Sequence, residues 1–229
     1  MKKSALFIVV LLFLGNLLIA QNECLPFLPL EEGTTWEMTD YNPKGKMQGK
    51  IRYELLEVEE DGDDITFTVR TTSMDKNEEE VFTSEFEAYC KDGEFSYDMS
   101  FMMNGQAMQA YESMEVDVDG SEYALPDLDA PVGTQLPDAS LRVTVQGPIV
   151  INMTVDVTDR SIDAREEITT PAGSFDCVAV SQVVKTKTVL KVEASSKEWY
   201  APGVGVVRTE SYNRKGKLTA YSELTALEQ

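Results

Sequence analysis

Tyr41-Asn42-Pro43-Lys44-Gly45-Lys46 near the start and Tyr212-Asn213-Arg214-Lys215-Gly216-Lys217 near the end are one phrase written twice. In each, Asn opens a type I turn, Pro43 or Arg214 takes the next position, and Gly45 or Gly216 supplies the left-handed residue that closes a bulged hairpin. The flanking runs, Thr34 to Tyr41 with Lys46 to Val58 and Val204 to Tyr212 with Leu218 to Leu227, are rich in Thr, Tyr and Val. Such residues suit a pleated, half-buried surface, so both ends of the chain read as antiparallel hairpins. Two similar hairpins explain the repeated phrase without an internal duplication.

Outward from these tips the same pattern continues. Further strands are expected at Asp64 to Met74, Glu80 to Cys90, Glu94 to Met103, Met114 to Val118, Ser140 to Gln146, Ile149 to Val157, Ser161 to Thr169, Ser174 to Lys185 and Val189 to Trp199. Asp61-Gly62-Asp63, Lys91-Asp92-Gly93, Pro171-Ala172-Gly173 and Pro202-Gly203 punctuate them. One short helix is expected at Gln106 to Glu112, and Leu125 to Pro137, with its three prolines, reads as a long connection. The expected fold is all-β: a single, strongly curved antiparallel meander of half-barrel type.

Lys2 and Lys3, the apolar run Ala5 to Leu14 and the small residue Ala20 form the three parts of a secretory signal. Residues 1–20 are expected to be removed, leaving 21–229 as a single β-domain in the periplasm or at the outer surface. The run is short for a membrane span. Gln21, Asn22 and Glu23 are poor neighbours for acylation of Cys24.

Forty acidic against twenty basic residues give a net charge of -20, and loss of Lys2 and Lys3 would make it -22. On net charge alone, nucleic acid and anionic lipid surfaces are poor partners. Stretches such as Glu115-Val116-Asp117-Val118-Asp119 alternate acid with apolar residue, the pattern of a solvated sheet face.

No histidine is present. That removes Ser-His-Asp and Cys-His catalysis and histidine-held zinc or copper. Carboxylate pairs remain as the basis of a hydrolase, but forty acids make any chosen pair uninformative. Ser73-Met74-Asp75-Lys76 has the letters of a Ser-x-x-Lys nucleophile, yet sits at a strand end with no Lys-Thr-Gly after it. Glu115-x-Asp117-x-Asp119-Gly120 begins like a calcium loop, but its twelfth position is Pro126 where a bidentate Glu belongs. No catalytic residue, cofactor or metal site is assigned.

Three cysteines in an oxidising compartment suggest one bridge and one free thiol. Cys24, in a loose terminal stretch, and Cys90, at a strand end, are the expected pair; Cys177, which follows Phe175 in a strand with apolar residues on both sides, is the expected free one. Met99, Met102, Met103 and Met108, with Met114, form a local enrichment. Methionine fills irregular core gaps, lines adaptable apolar surfaces, and binds Cu(I) when several sulfurs converge. Core filling is the plainest reading; as a binding site, Met99, Met102, Met103 and Met108 are the candidate ligand-contacting residues.

Several segments together carry a resemblance. These are Cys24 with Pro26-Phe27, the tip Tyr41 to Lys46, Cys90-Lys91-Asp92-Gly93, Thr169-Thr170-Pro171-Ala172-Gly173-Ser174-Phe175-Asp176-Cys177, and Glu198-Trp199-Tyr200-Ala201-Pro202. Taken together, they resemble an exported Bacteroidota family of unknown function, over nearly the whole chain after residue 20. The sheet layout of such proteins is similar to the half-barrel of lipoprotein carriers of the LolA and LppX type. The resemblance implies no catalytic residue. The expectation is a non-enzymatic, exported binding protein that holds an apolar or lipid-like ligand on a concave sheet face. The alternative is an envelope interaction protein with a filled core and a protein partner, and a carboxylate hydrolase comes third.

Overall fold

The computed structural model describes residues 27–99, 114–147 and 149–228. Among these, thirteen strands form one sheet, antiparallel throughout. In chain order they are β1 Thr35–Tyr41, β2 Met47–Asp61, β3 Asp64–Asp75, β4 Glu80–Lys91, β5 Glu94–Asp98, β6 Glu115–Gly120, β7 Glu122–Ala124, β8 Ala139–Gln146, β9 Ile151–Thr170, β10 Gly173–Lys187, β11 Lys191–Ala201, β12 Gly205–Asn213 and β13 Leu218–Glu228. Across the sheet they run β6-β8-β9-β10-β11-β12-β13-β1-β2-β3-β4-β5-β7. The first and last strands are therefore neighbours in mid-sheet, with Thr35 opposite Glu228 and Tyr41 opposite Tyr221.

The repeated phrase forms the same turn twice. Gly45 and Gly216 have φ of 74° and 69°. The amides of Lys44 and Lys46 donate to Asn42 Oδ1, and those of Lys215 and Lys217 to Asn213 Oδ1. The Asn side chain replaces backbone partners that the tight turn denies those amides, which is why Asn opens it.

The sheet curls until its two edges almost meet. β6 pairs with β8 on one edge and β7 with β5 on the other, and Ser121 stands between them. Its amide donates to Ser140 O at 2.8 Å, while its carbonyl accepts from the Met99 amide at 3.1 Å. Residues 115–124 thus pass from one edge to the other and close the curl into a barrel-like shape.

Alternation decides what fills it. Phe67 and Val69 on β3, Leu141, Val143 and Val145 on β8, and Leu55 on β2 are buried together with Trp36, Met38 and Val180. Burying a side chain such as Leu55 or Phe67 fully contributes about 1.5–3 kcal/mol. Most of the interior is packed this way.

Three expectations need correction. Ile149 to Val157 and Ser161 to Thr169 are one strand, β9, because Asp159 takes a left-handed φ of 56° and makes a bulge where a turn was expected. A short polar side chain tolerates that conformation at little cost. The bulge sits where the pairing with β10 slips, between Ser181 and Val183. The expected strand Glu94 to Met103 ends at Asp98, and Glu122–Ala124 pairs although it was assigned to no strand. The long connection Leu125 to Pro137 is present, and part of it is also paired: the Gly133 and Leu136 amides donate to the Ile162 and Arg160 carbonyls. The helix expected at Gln106 to Glu112 lies outside the described residues.

Candidate functional site

One end of the barrel interior is not completely filled. A cavity of about 90 Å³ is lined by Trp36 and Met38 from β1, Tyr53 from β2, Phe86 and Ala88 from β4, Phe95 and Tyr97 from β5, Tyr200 from β11, and Val204 to Val206 around the start of β12. Phe27, Leu28 and Leu125 complete the wall. Half of the lining residues are aromatic because inward positions of neighbouring strands carry large rings. Trp36 stacks on Tyr53, with centroids 5.2 Å apart and planes 4° apart, while Phe27 sits edge-on to Phe95 and Tyr200.

Gly205 explains how the segment beginning at Phe27 fits there. Its φ is 91°, and a Cβ at this position would stand 2.8 Å from the Phe27 carbonyl oxygen. Only glycine combines that backbone conformation with so close an approach.

Two residues of the cavity wall, Tyr97 and Tyr200, belong also to a polar cluster deeper in the barrel. The Tyr123 hydroxyl donates to Gln182 Oε1 at 2.6 Å, and Gln182 Nε2 donates to Glu198 Oε1 at 3.0 Å. Tyr200 donates its hydroxyl hydrogen to Glu198 Oε2, and the Tyr123 oxygen lies 3.2 Å from that same atom. Tyr97 stacks on Tyr123 at 5.1 Å.

Arg160, 1% exposed, completes the cluster. Its Nε donates to Gln182 Oε1 at 3.3 Å, and its two terminal nitrogens donate to Pro137 O at 2.8 Å and Ala124 O at 2.7 Å. The guanidinium carbon lies 3.8 Å from the centroid of the Tyr123 ring. One cation therefore ties both ends of the 125–137 connection to the barrel wall, using the fork geometry that distinguishes Arg from Lys.

Burial raises the Glu198 carboxyl above the ordinary carboxylate range, although bonds from Tyr200 and Tyr123 and the charge of Arg160 pull it back. Burial, and then the Glu198 charge, raises Tyr200 and Tyr123 well above ordinary phenols. The cluster is thus a neutral-phenol cage around one carboxyl, at the inner side of an apolar cavity.

Of the ligand-contacting candidates named from the sequence, few lie among the described residues. Met99 is fully buried in the core and does not line the cavity. Met102, Met103, Met108 and Cys24 lie outside the described residues. Cys90 is fully buried and its sulfur is not free, whereas Cys177 is free and buried. Glu115, Asp117 and Asp119 alternate along the exposed face of edge strand β6, spread out where a calcium loop would gather them. Ser73 lies within β3, opposite Ile51 and Phe82.

The polar cluster was missed, although the sequence held one signal for it. Gln182 shares the parity of Val178 and Val180, and Glu198 that of Tyr200, so each is a polar residue at an inward-facing position.

A family model described as DUF3108-like matches residues 31–224. The chain belongs to that family. Two solved structures share its fold over nearly their whole length. A protein named as exported, with a YmcC-like fold, from Bacteroides fragilis is 26% identical at a TM-score of 0.76, covering 89% of this chain and 99% of its own. A protein named as a lipoprotein from Parabacteroides distasonis is 27% identical at a TM-score of 0.76, covering 88% and 98%. No curated protein matches the chain. Membership brings the barrel and no assigned chemistry. Among the described residues no helix is long and apolar enough to cross a membrane.

Proposed function

We propose that this is a non-enzymatic binding protein of the cell envelope, exported like the proteins its structural neighbours are named as, which takes a single apolar group into the aromatic cavity between β1, β4, β5 and β12. The observation that carries this reading is the cavity itself: about 90 Å³ and mainly apolar-walled, set into a core of buried side chains among the described residues. Sites for drug-sized ligands are about 300–1,000 Å³, and one water occupies about 30 Å³. The space therefore suits the end of an acyl chain or one apolar side chain, not an entire lipid. Tyr97 and Tyr200 give its inner wall phenol groups, set beside Glu198. A Cys24–Cys90 bridge belongs to the same proposal: Cys177 is the free thiol and Cys90 is engaged, so the bridge would pin the start of the chain near the wall that Phe27 completes.

Trp36 provides the test, because it lines the cavity. In a Trp199→Phe background, titration with decanol is expected to shift Trp36 emission, and Ala88→Phe, which puts a ring into the space, is expected to abolish the shift while leaving melting within a few degrees of the parent. Emission unmoved by decanol, together with the loss of about 1–3 kcal/mol that overpacking causes, would replace this reading with the filled-core interaction protein.

A further inference from the structure

Six of the ten large apolar side chains left exposed among the described residues, including the three most exposed, stand on two neighbouring tips at one end of the barrel; Leu30 and Val132 lie away from it. Ile149, Val150 and Ile151 form the β8–β9 tip, and Val189, Leu190 and Val192 the β10–β11 tip; Ile149 is 80% exposed and Val189 97%. The register makes these tips neighbours, because Thr154 faces Lys187 across β9 and β10 and the two hairpins run on past that pair together. A monomeric soluble surface rarely leaves so large an apolar group uncovered without a use for it.

Charge at the same end is opposite to that of the whole molecule. Lys185, Lys187 and Lys191 flank Val189 and Leu190. The next tips around the rim carry Arg214, Lys215 and Lys217, then Lys44 and Lys46, all exposed. Arg214 meets Glu193 at 3.4 Å, but Lys44, Lys46, Lys187, Lys191, Lys215 and Lys217 make no ion pair among the described residues. The arc ends at the β3–β4 tip, where Glu78 to Glu80 are acidic and Lys50 is paired with Glu78. The far end of the barrel carries Asp61, Asp63, Asp64, Asp92 and Glu94 on its tips. A chain of net charge -20 thus has a cationic arc running from the two apolar fingers along one side of the rim, with exposed Glu115 of β6 on their other side.

We infer that this rim docks on an anionic phospholipid surface, the fingers Ile149–Ile151 and Val189–Val192 entering the headgroup layer and the lysines beside them facing lipid phosphates. Apolar side chains flanked by lysines are what such an interface rewards, and the acidic opposite end is repelled by the same surface, which fixes the orientation. This surface is independent of the aromatic cavity, which lies toward the other end. The net-charge argument against anionic lipid fails here because a field is felt locally, within about 10 Å at ordinary ionic strength.

Flotation of the exported chain, residues 21–229, with vesicles of phosphatidylcholine alone or mixed with phosphatidylglycerol tests it. Binding is expected only to the mixed vesicles, and loss of binding in about 0.5 M salt. Leu190→Asp is expected to abolish it, and Lys187→Glu to weaken it about tenfold. Lys91→Glu changes the net charge equally but sits at the opposite end, so it is expected to have no such effect; unchanged melting temperatures of all three confirm folding. Absence of binding by the parent chain would overturn the inference, as would equal effects of Lys187→Glu and Lys91→Glu. So would a self-association in ultracentrifugation that Leu190→Asp removes while vesicle binding persists.

Discussion

Replacing Arg160 by Met keeps the volume and removes the charge and every donor. Two carbonyls, Ala124 O and Pro137 O, lose bonds of 2.7 and 2.8 Å, Gln182 Oε1 loses one of its two donors, and the Tyr123 ring loses its cation. Each bond to a charged group contributes about 1.5–3 kcal/mol, and removing one partner of a buried charged network costs about 3–5 kcal/mol in all. We expect a loss of about 4 kcal/mol in urea unfolding, equivalent to a melting temperature lower by roughly 8–16 °C for a domain of this size. Arg160→Lys is expected to rescue little, because one ammonium cannot bridge two carbonyls at opposite ends of a loop. Without the guanidinium, Glu198 is harder to ionise, so the deficit is larger at about pH 8 than at about pH 5. A loss below about 1 kcal/mol for Arg160→Met, with the same pH profile as the parent, would refute the role given to this cluster.

Glu198→Gln tests the carboxyl directly. Its folded pKa is raised, so the folded chain binds the proton more tightly; the unmutated protein therefore loses stability as pH rises from the ordinary carboxylate range through the folded value, and the variant is expected to lack that decline. Parallel curves of melting temperature against pH for the two proteins would count against it. Cys177 is pushed up to about 12, chiefly by burial, so it is expected to resist thiol reagents in the folded chain at about pH 8 and to react at once on denaturation; prompt reaction of the native protein would contradict the burial.

Turn chemistry and alternation made much of this fold legible in the sequence, since both act over a few residues. Asn42 with Gly45 and Asn213 with Gly216 specify their hairpins locally, and the curved antiparallel meander follows from the spacing of such tips. What escaped depends on residues far apart in the chain. Asp159 reads as a turn until β10 is beside it, and Glu122 to Ala124 are too few to announce a strand until β5 offers its edge. The site was less legible than the fold. Tyr123, Arg160, Gln182 and Glu198 come from four different strands, so no spacing connects them; only the inward parity of Gln182 and Glu198 marked them as unusual. Of the methionine enrichment, Met99 lies in the core, in keeping with the core-filling reading, and Met102, Met103 and Met108 lie outside the described residues.

The adjacency of β1 and β13 has a consequence for how the chain matures. Thr35 pairs with Glu228, so the seam between β1 and β13 cannot form until β13 has been delivered. A polypeptide emerging N-terminus first can build β2 to β5 and then β8 to β12 as hairpins, while β1 waits with one row of amides and carbonyls unpaired. Pairing across so long a sequence separation is slow, and the waiting edge is a template for another chain. The seam makes the interval before β13 emerges the vulnerable moment of this barrel, and once made it covers the edges of both strands.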